Sequence, residues 1–132
     1  MKGETHLAIL IKNMTPVLNE GEYVFCSISR GEAIDFSKII HFFKEKEGFT
    51  IVVEKEYAEL QGFEYTASWA WITLLIHSAL DAIGLTAAFA TALTENNISC
   101  NVVAGFYHDH IFVQHALGEK AVEVLQTLSA QY

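Results

Sequence analysis

The apolar positions of this chain change period several times, and each change marks an element. Leu7, Leu10, Ile11 and Met14 recur at helical spacing, with Thr5 placed to cap that helix and Pro16 to end it. Asn19-Glu20-Gly21 reads as a turn. Residues 22–29 (EYVFCSIS) alternate and are rich in aromatic and β-branched side chains, which predicts a strand. Phe36, Ile39, Ile40 and Phe43 fall on one face of a helix predicted over 34–47, with Gly48 as its cap. A short buried strand follows at 49–53. Residues 54–61 then read as a short helix anchored by Tyr57 and Leu60 and stopped at Gly62. A long strand is expected over 65–77. Leu85, Phe89, Ala92 and Leu93 face inward on a helix over 83–95. Strands at 98–105 and 111–115 flank a tight connection at 107–110. A last amphipathic helix over 119–130 turns Ala121, Val124, Leu125 and Leu128 to one side.

This order is α, then βαβα, then βαββα. At an offset of 49 residues, 22–53 lies over 71–102 without a gap, pairing Ile34 with Ile83, Phe36 with Leu85, Ser37 with Thr86, Ile40 with Phe89 and Thr50 with Ser99. A duplicated βαβ unit is the expectation. The long strand has two apolar faces, Ala70, Ile72, Leu74 and Ile76 on one and Trp69, Trp71, Thr73 and Leu75 on the other. Sheets covered on one side keep a polar open face. The second face is therefore expected to lie under a partner sheet or subunit.

Charge sharpens this picture. The 132 residues carry sixteen acids and eight bases, a net −8 with neutral histidine, which repels a nucleic-acid backbone. Only Asp81, Glu95, Asp109, Glu119, Lys120 and Glu123 are charged in residues 72–132, so that half is expected to bury surface. Cys26 and Cys100 sit in apolar runs and read as reduced core thiols. Met1–His6 does not read as a signal peptide, and the longest uncharged run, 65–80, is short for a membrane span, so neither a leader nor a membrane anchor is expected. A cytoplasmic protein without membrane or nucleic-acid partners is the expectation.

The second half is similar to an ACT domain, the small ligand-binding regulatory module of amino-acid metabolism. The likeness lies in SWAWITLLIHS, ALDAIGLTAAFATALTENN, ISCNVVAG and HDHIFVQ, above all in Gly84-Leu85-Thr86-Ala87-Ala88 and Asn97-Ile98-Ser99-Cys100-Asn101-Val102. Asn97 stands where the family often has glycine, a position asparagine also tolerates. Met14-Thr15-Pro16-Val17-Leu18, Gly21-Glu22-Tyr23-Val24-Phe25-Cys26 and His108-Asp109-His110-Ile111-Phe112-Val113 resemble small, functionally uncharacterised bacterial proteins of two tandem ACT-like halves. The resemblance implies an α+β fold of tandem ferredoxin-like (βαββαβ) halves with antiparallel sheets packed together. An abbreviated N-terminal half at 1–66 and an ACT domain at 67–132 are the expected domains. No closing strand follows the last helix, so that strand must come from elsewhere or be absent.

ACT domains bind an amino acid at a domain–domain seam, beside the loop from first strand to first helix. That places the expected ligand contacts at Asp81, Ile83, Gly84, Leu85 and Thr86, with Asn101, Val102 and Val103 across the seam. The chemistry suits those positions. Free N–H groups at the helix start favour a carboxylate, Gly84 admits close approach, Thr86 offers a hydroxyl and Asp81 can pair with an amino group. Turn and cap roles explain Asp81, Gly84 and Thr86 equally well. Arg30, the only arginine, sits in the matching loop of the first half and could meet an anion or simply be solvated. No P-loop, dinucleotide fingerprint or GxSxG is present, so no catalytic residue and no cofactor are assigned.

The leading expectation is a non-catalytic regulatory protein that binds an amino acid or related metabolite and forms a homodimer or higher homo-oligomer. The alternatives are a structural interaction module without ligand, and a metal protein using the His108-Asp109-His110 hairpin. A metal wants three or four converging ligands. The hairpin supplies two or three, so its expected role is structural, with Asp109 accepting bonds and the histidines orienting it.

Overall fold

The computed structural model describes residues 6–29, 32–76 and 83–132. Packing divides the chain into a larger unit, Met1–Glu20 with Ala70–Tyr132, and a smaller unit, Gly21–Trp69.

The larger unit opens with helix α1 (Leu7–Asn13), which buries Leu10 and Ile11 as the spacing predicts. Strand β1 (Thr15–Leu18) follows directly. α1 ends ahead of Pro16 as expected, and Pro16 itself sits inside this strand, opposite Leu74 of β5 (Trp69–Leu75). Proline is tolerated there because β1 is an edge strand. The chain then runs through α3 (Leu85–Glu95), β6 (Asn101–Ala104), β7 (Asp109–Gln114) and α4 (Gly118–Ala130). The strand order of this unit is β1-β5-β7-β6. β1 and β5 are antiparallel, as are β6 and β7. Trp71 and Thr73 of β5 meet His110 while Ile76 beyond its end meets His108, so β5 and β7 also run in opposite directions. The closing strand absent after α4 is thus supplied by β1, from the front of the chain, and the unit is ferredoxin-like in strand order.

One face of β5 carries the core. Ala70, Ile72, Leu74 and Ile76 pack with Leu10, Ile11 and Met14 of the N-terminal segment, Leu85, Phe89 and Leu93 of α3, and Ala121 and Leu125 of α4. Phe89, Leu93, Ile72 and Leu125 are fully buried, and each such side chain contributes about 1.5–3 kcal/mol of burial. Gly118 starts α4 against β5 and β1; a Cβ there would meet the Ala70 Cβ at 2.9 Å and Leu18 at 3.2 Å.

The smaller unit is the sheet β3-β4-β2, made of β2 (Tyr23–Ile28), β3 (Ile39–Lys44) and β4 (Phe49–Glu54), with helix α2 (Lys55–Gln61). Both strand pairs are antiparallel. Val24, Cys26, Ile28, Ile51, Val53 and Ala58 form its core. Gly62 takes the left-handed conformation and ends α2. Leu60, expected to anchor α2, is 78% exposed; Ala58 is the helix's buried residue.

The helix expected over 34–47 does not form. Asp35 caps a single 3-10 turn (Phe36–Lys38) through the Ser37 amide, and β3 begins at once. Ile39, Ile40, Phe42 and Phe43 are β-branched or aromatic, and pairing with β4 wins over a helical spacing that fits them equally well. The Glu45 N–H donates to the Gly48 carbonyl and closes the hairpin. The offset of 49 consequently lays α3 over a 3-10 turn and a strand, not over a helix. A shift of 60 residues instead sets β4 on β7. The shared order is strand, variable segment, hairpin, helix.

Candidate functional site

On the side of the larger unit's sheet away from its helices, the second face of β5 meets β7. Trp71 Nε1 donates to His110 Nδ1 at 3.0 Å, and Thr73 Oγ1 lies 3.2 Å from the same nitrogen. Asn19, just after β1, donates through Nδ2 to Thr73 Oγ1 at 3.0 Å and to the Trp71 carbonyl at 3.2 Å. Three strands are tied by this polar network, which lies on an otherwise apolar face: Trp71 stacks on Phe112 with ring centroids 6.5 Å apart. The face was expected to be covered. Thr73 is buried and Trp71 half-buried, whereas Leu75 is 40% exposed.

The network leads to one end of the sheet. β5 and β6 run the same way, so the exit of β5, the start of α3 and the β6–β7 turn share that end. His108 Nδ1 lies 3.4 Å from both backbone N and O of Ile76, which ties the turn to the end of β5. Gly105 closes the turn by donating its N–H to the His108 carbonyl. Phe106 and Tyr107 project from it, 82% and 73% exposed, with rings 5.1 Å apart.

The expected ligand residues divide. Asp81, like Arg30, lies outside the described residues. Gly84, at φ +93°, is the N-cap of α3, and no side chain caps the helix. Its conformation favours glycine. Ile83 and Thr86 are exposed, so both face solvent beside the first-turn amides; Leu85 is buried in the core. Val103 pairs with His110 at the same end of the sheet. Asn101 stands at the far end of β6, donating to the Phe112 carbonyl at 3.3 Å, and Val102 packs on the core. Ile83, Gly84, Thr86 and Val103 therefore share an end, while Leu85 and Val102 are packing residues. Grooves of about 510 and 550 Å³ lie elsewhere, the first between α3 and α4 and the second between β3 and α2.

The hairpin histidines do not meet in one place. His110 turns to Trp71 and Thr73, His108 to the backbone of Ile76. Between them, the Asp109 carboxyl titrates above its usual range because burial outweighs the nearby histidines. Among the described residues no three His, Cys, Asp or Glu side chains converge as a metal site. Burial pushes the Cys100 thiol up to about 11 and raises that of Cys26, so neither is an activated nucleophile. No helix among the described residues is long and apolar enough to cross a membrane. Asn19, Trp71 and Thr73 were not among the expected site residues, and His110 was named only with the hairpin considered for a metal. The one signal for them was Thr73, a polar residue in an apolar strand.

Residues 2–70 match one family model described as ACT domain, and residues 67–127 match a second. A Vibrio cholerae protein of unknown function, described as a possible transport protein, is 45% identical over 93% of this chain and 95% of its own, with a TM-score of 0.84. A protein from Agrobacterium tumefaciens is 21% identical over 88% of this chain and 89% of its own, with a TM-score of 0.72. The ligand-free regulatory subunit of aspartate kinase from Thermus thermophilus shares the fold at 11% identity, covering 86% of this chain and 95% of its own, with a TM-score of 0.58. No curated protein matches the sequence.

Proposed function

The chain belongs to the ACT-domain family, and from that premise we propose that it is a non-catalytic regulatory protein that binds a small metabolite, an amino acid in the first instance. The observation that carries this reading is the pair of ACT matches, which together span residues 2–127. The likeness in fold to a regulatory subunit of aspartate kinase supports it.

The larger unit supplies the chemistry. The amides of the uncapped first turn of α3 favour a carboxylate. Gly84 supplies the left-handed start of α3, with Leu7 packed where its Cβ would lie, and the exposed Thr86 offers a hydroxyl. Asp81 stays in the proposal as the partner of the amino group. Val103 adds backbone at the same end of the sheet. A second ACT surface completing the site, a homo-oligomeric state and a cytoplasmic location belong to the same reading.

Thermal unfolding with each of the twenty amino acids at millimolar concentration tests it. A ligand that prefers the native state raises Tm, by about 2.7 kcal/mol of stability at a hundred times its Kd. The reading predicts a rise with one amino acid or a related group. No rise with any of them contradicts it.

A further inference from the structure

An open sheet ends in strands whose outer N–H and C=O groups lack a neighbour, and three outer strands of this chain can be compared. Such edges are ordinarily blunted by proline, lysine or a bulge. β1 carries Pro16. β3 has a register shift between Ile39 and His41 and ends on Lys44. β6 (Asn101–Ala104) lies at the end of the strand order and carries none of these devices. No Asp, Glu, Lys or Arg stands between Glu95 and Asp109.

The outward groups of β6 follow from its hairpin. The Gly105 N–H donates to the His108 carbonyl, so those two residues form a hydrogen-bonded pair. Hydrogen-bonded and non-hydrogen-bonded pairs alternate along an antiparallel ladder. Val103 with His110 and Asn101 with Phe112 are therefore bonded inward, whereas Val102 and Ala104 turn their N–H and C=O away from β7. No strand among the described residues pairs with that side.

We propose that β6 pairs antiparallel with β6 of a second copy of this chain, about a two-fold axis at Val103, and that this edge is the homodimer interface. In that register Val102 of each copy exchanges two backbone hydrogen bonds with Ala104 of the other, and every outward group of both strands is satisfied. Sliding the copies by two residues in either direction leaves half of those groups without a partner in β6. The occupant is a second copy because one two-fold contact completes the same strand on both sides. Two chains of net −8 also meet here along a stretch free of charge. The same register brings the β6–β7 turn of each copy alongside residues 99–100 of the other. Phe106 and Tyr107, the exposed rings of that turn, gain a neighbour there. Val103 shares a face with His110, its partner across the ladder, so the two Val103 side chains stand opposite each other in a non-hydrogen-bonded pair. The inference rests on the reading above only for the homo-oligomeric state, whose surface it names, and it needs no ligand.

Sedimentation velocity of the full chain at micromolar concentration, without added ligand, tests this. The expected species has twice the 14.7 kDa mass of the chain. Val102→Pro removes one outward N–H that only the dimer uses, a loss an edge strand tolerates. Counted on both copies, it should raise the dimer Kd about tenfold or more. Ala104→Lys, at an exposed position, sets a like charge on each copy and should weaken the dimer by a similar factor. Val103→Cys should give a disulfide-linked dimer on mild oxidation, because facing Cβ atoms in such a pair lie about 4.5–5.5 Å apart. Asn101→Cys, which faces Gly105 of the copy, should not. The cross-link decides by itself where a variant does not fold. A monomeric parent overturns the proposal together with the homo-oligomeric state, while ligand binding is still read from thermal unfolding with the amino acids. A dimer that both folded variants leave at parental strength overturns the edge alone, as does a Val103→Cys dimer that oxidation does not link.

Discussion

In the larger unit the segment between β5 and β6 contains an 11-residue helix, α3, which sets Leu85, Phe89 and Leu93 into the core. In the smaller unit the matching segment, between β2 and β3, makes one 3-10 turn, with no buried residue in it. The difference has two consequences. The larger unit thereby has three helices on its core, α1, α3 and α4, and beside Gly84 a first turn that no side chain caps. The smaller unit covers its sheet with one short helix and leaves Phe36, Phe43 and Leu60 exposed. A strand order shared by two units does not confer the same capacity on both. What sits between the first two strands decides whether a helix starts at that end of the sheet, and among the described residues the larger unit has one there, whereas the smaller unit's α2 follows its last strand.

The N-terminal segment is where this contrast can be broken most forcefully. Ile11 is fully buried in the larger unit's core although it precedes the whole smaller unit in sequence. Ile11→Ala should cost about 2–5 kcal/mol, read from the urea midpoint. Hydrogen exchange should accelerate in β5 and α4 and stay slow in β2 and β4. Loss of protection in β2 and β4 instead would place the segment with the wrong unit.

A smaller effect separates two glycines. Gly118 meets Ala70 and Leu18, so Gly118→Val should overpack the larger unit by about 1–3 kcal/mol. Gly62 has nothing within 4 Å of a Cβ, and at φ +73° Gly62→Ala should cost only the left-handed strain, about 1–2 kcal/mol. Thermal melts of the two variants compare crowding with conformation. A larger loss for Gly62→Ala would mean that the α4 start is looser than its contacts imply.

The smallest effect concerns pH. Burial raises the Asp109 carboxyl in the folded state, so the native chain binds more protons than the unfolded chain between the unfolded value and the raised folded one. Stability from this group is therefore lost as pH rises through that window, and regained as pH falls. Asp109→Asn should remove this slope, gaining on the parent toward neutral pH and losing the gain at low pH. An unchanged slope in melts from pH 3 to 7 would show that Asp109 is solvated.

Much of the fold was legible because single segments carried their own signal. β2, β4, α3 and α4 follow directly from alternation or helical spacing. Residues 34–47 were misread because Phe36, Ile39, Ile40 and Phe43 satisfy a helical face, while IIHFF is also a good strand, and only its pairing with β4 decides between them. β1 was hidden behind Pro16, whose missing N–H an edge strand can spare. The start of α3 was visible as Gly84 and Thr86. The polar network was not, since Asn19, Trp71, Thr73 and His110 are brought together only by the register of three strands, with Asn19 and Thr73 54 positions apart.

The central claim is that the larger unit's α3 end is where an ACT-type ligand binds. Amide hydrogen exchange of the full chain, with and without the amino acid that raises Tm most, tests it directly. The account predicts slowed exchange at residues 83–88 and 105–110, with β4 and α2 of the smaller unit unchanged. Protection confined to the smaller unit, or none at 83–88, would contradict it.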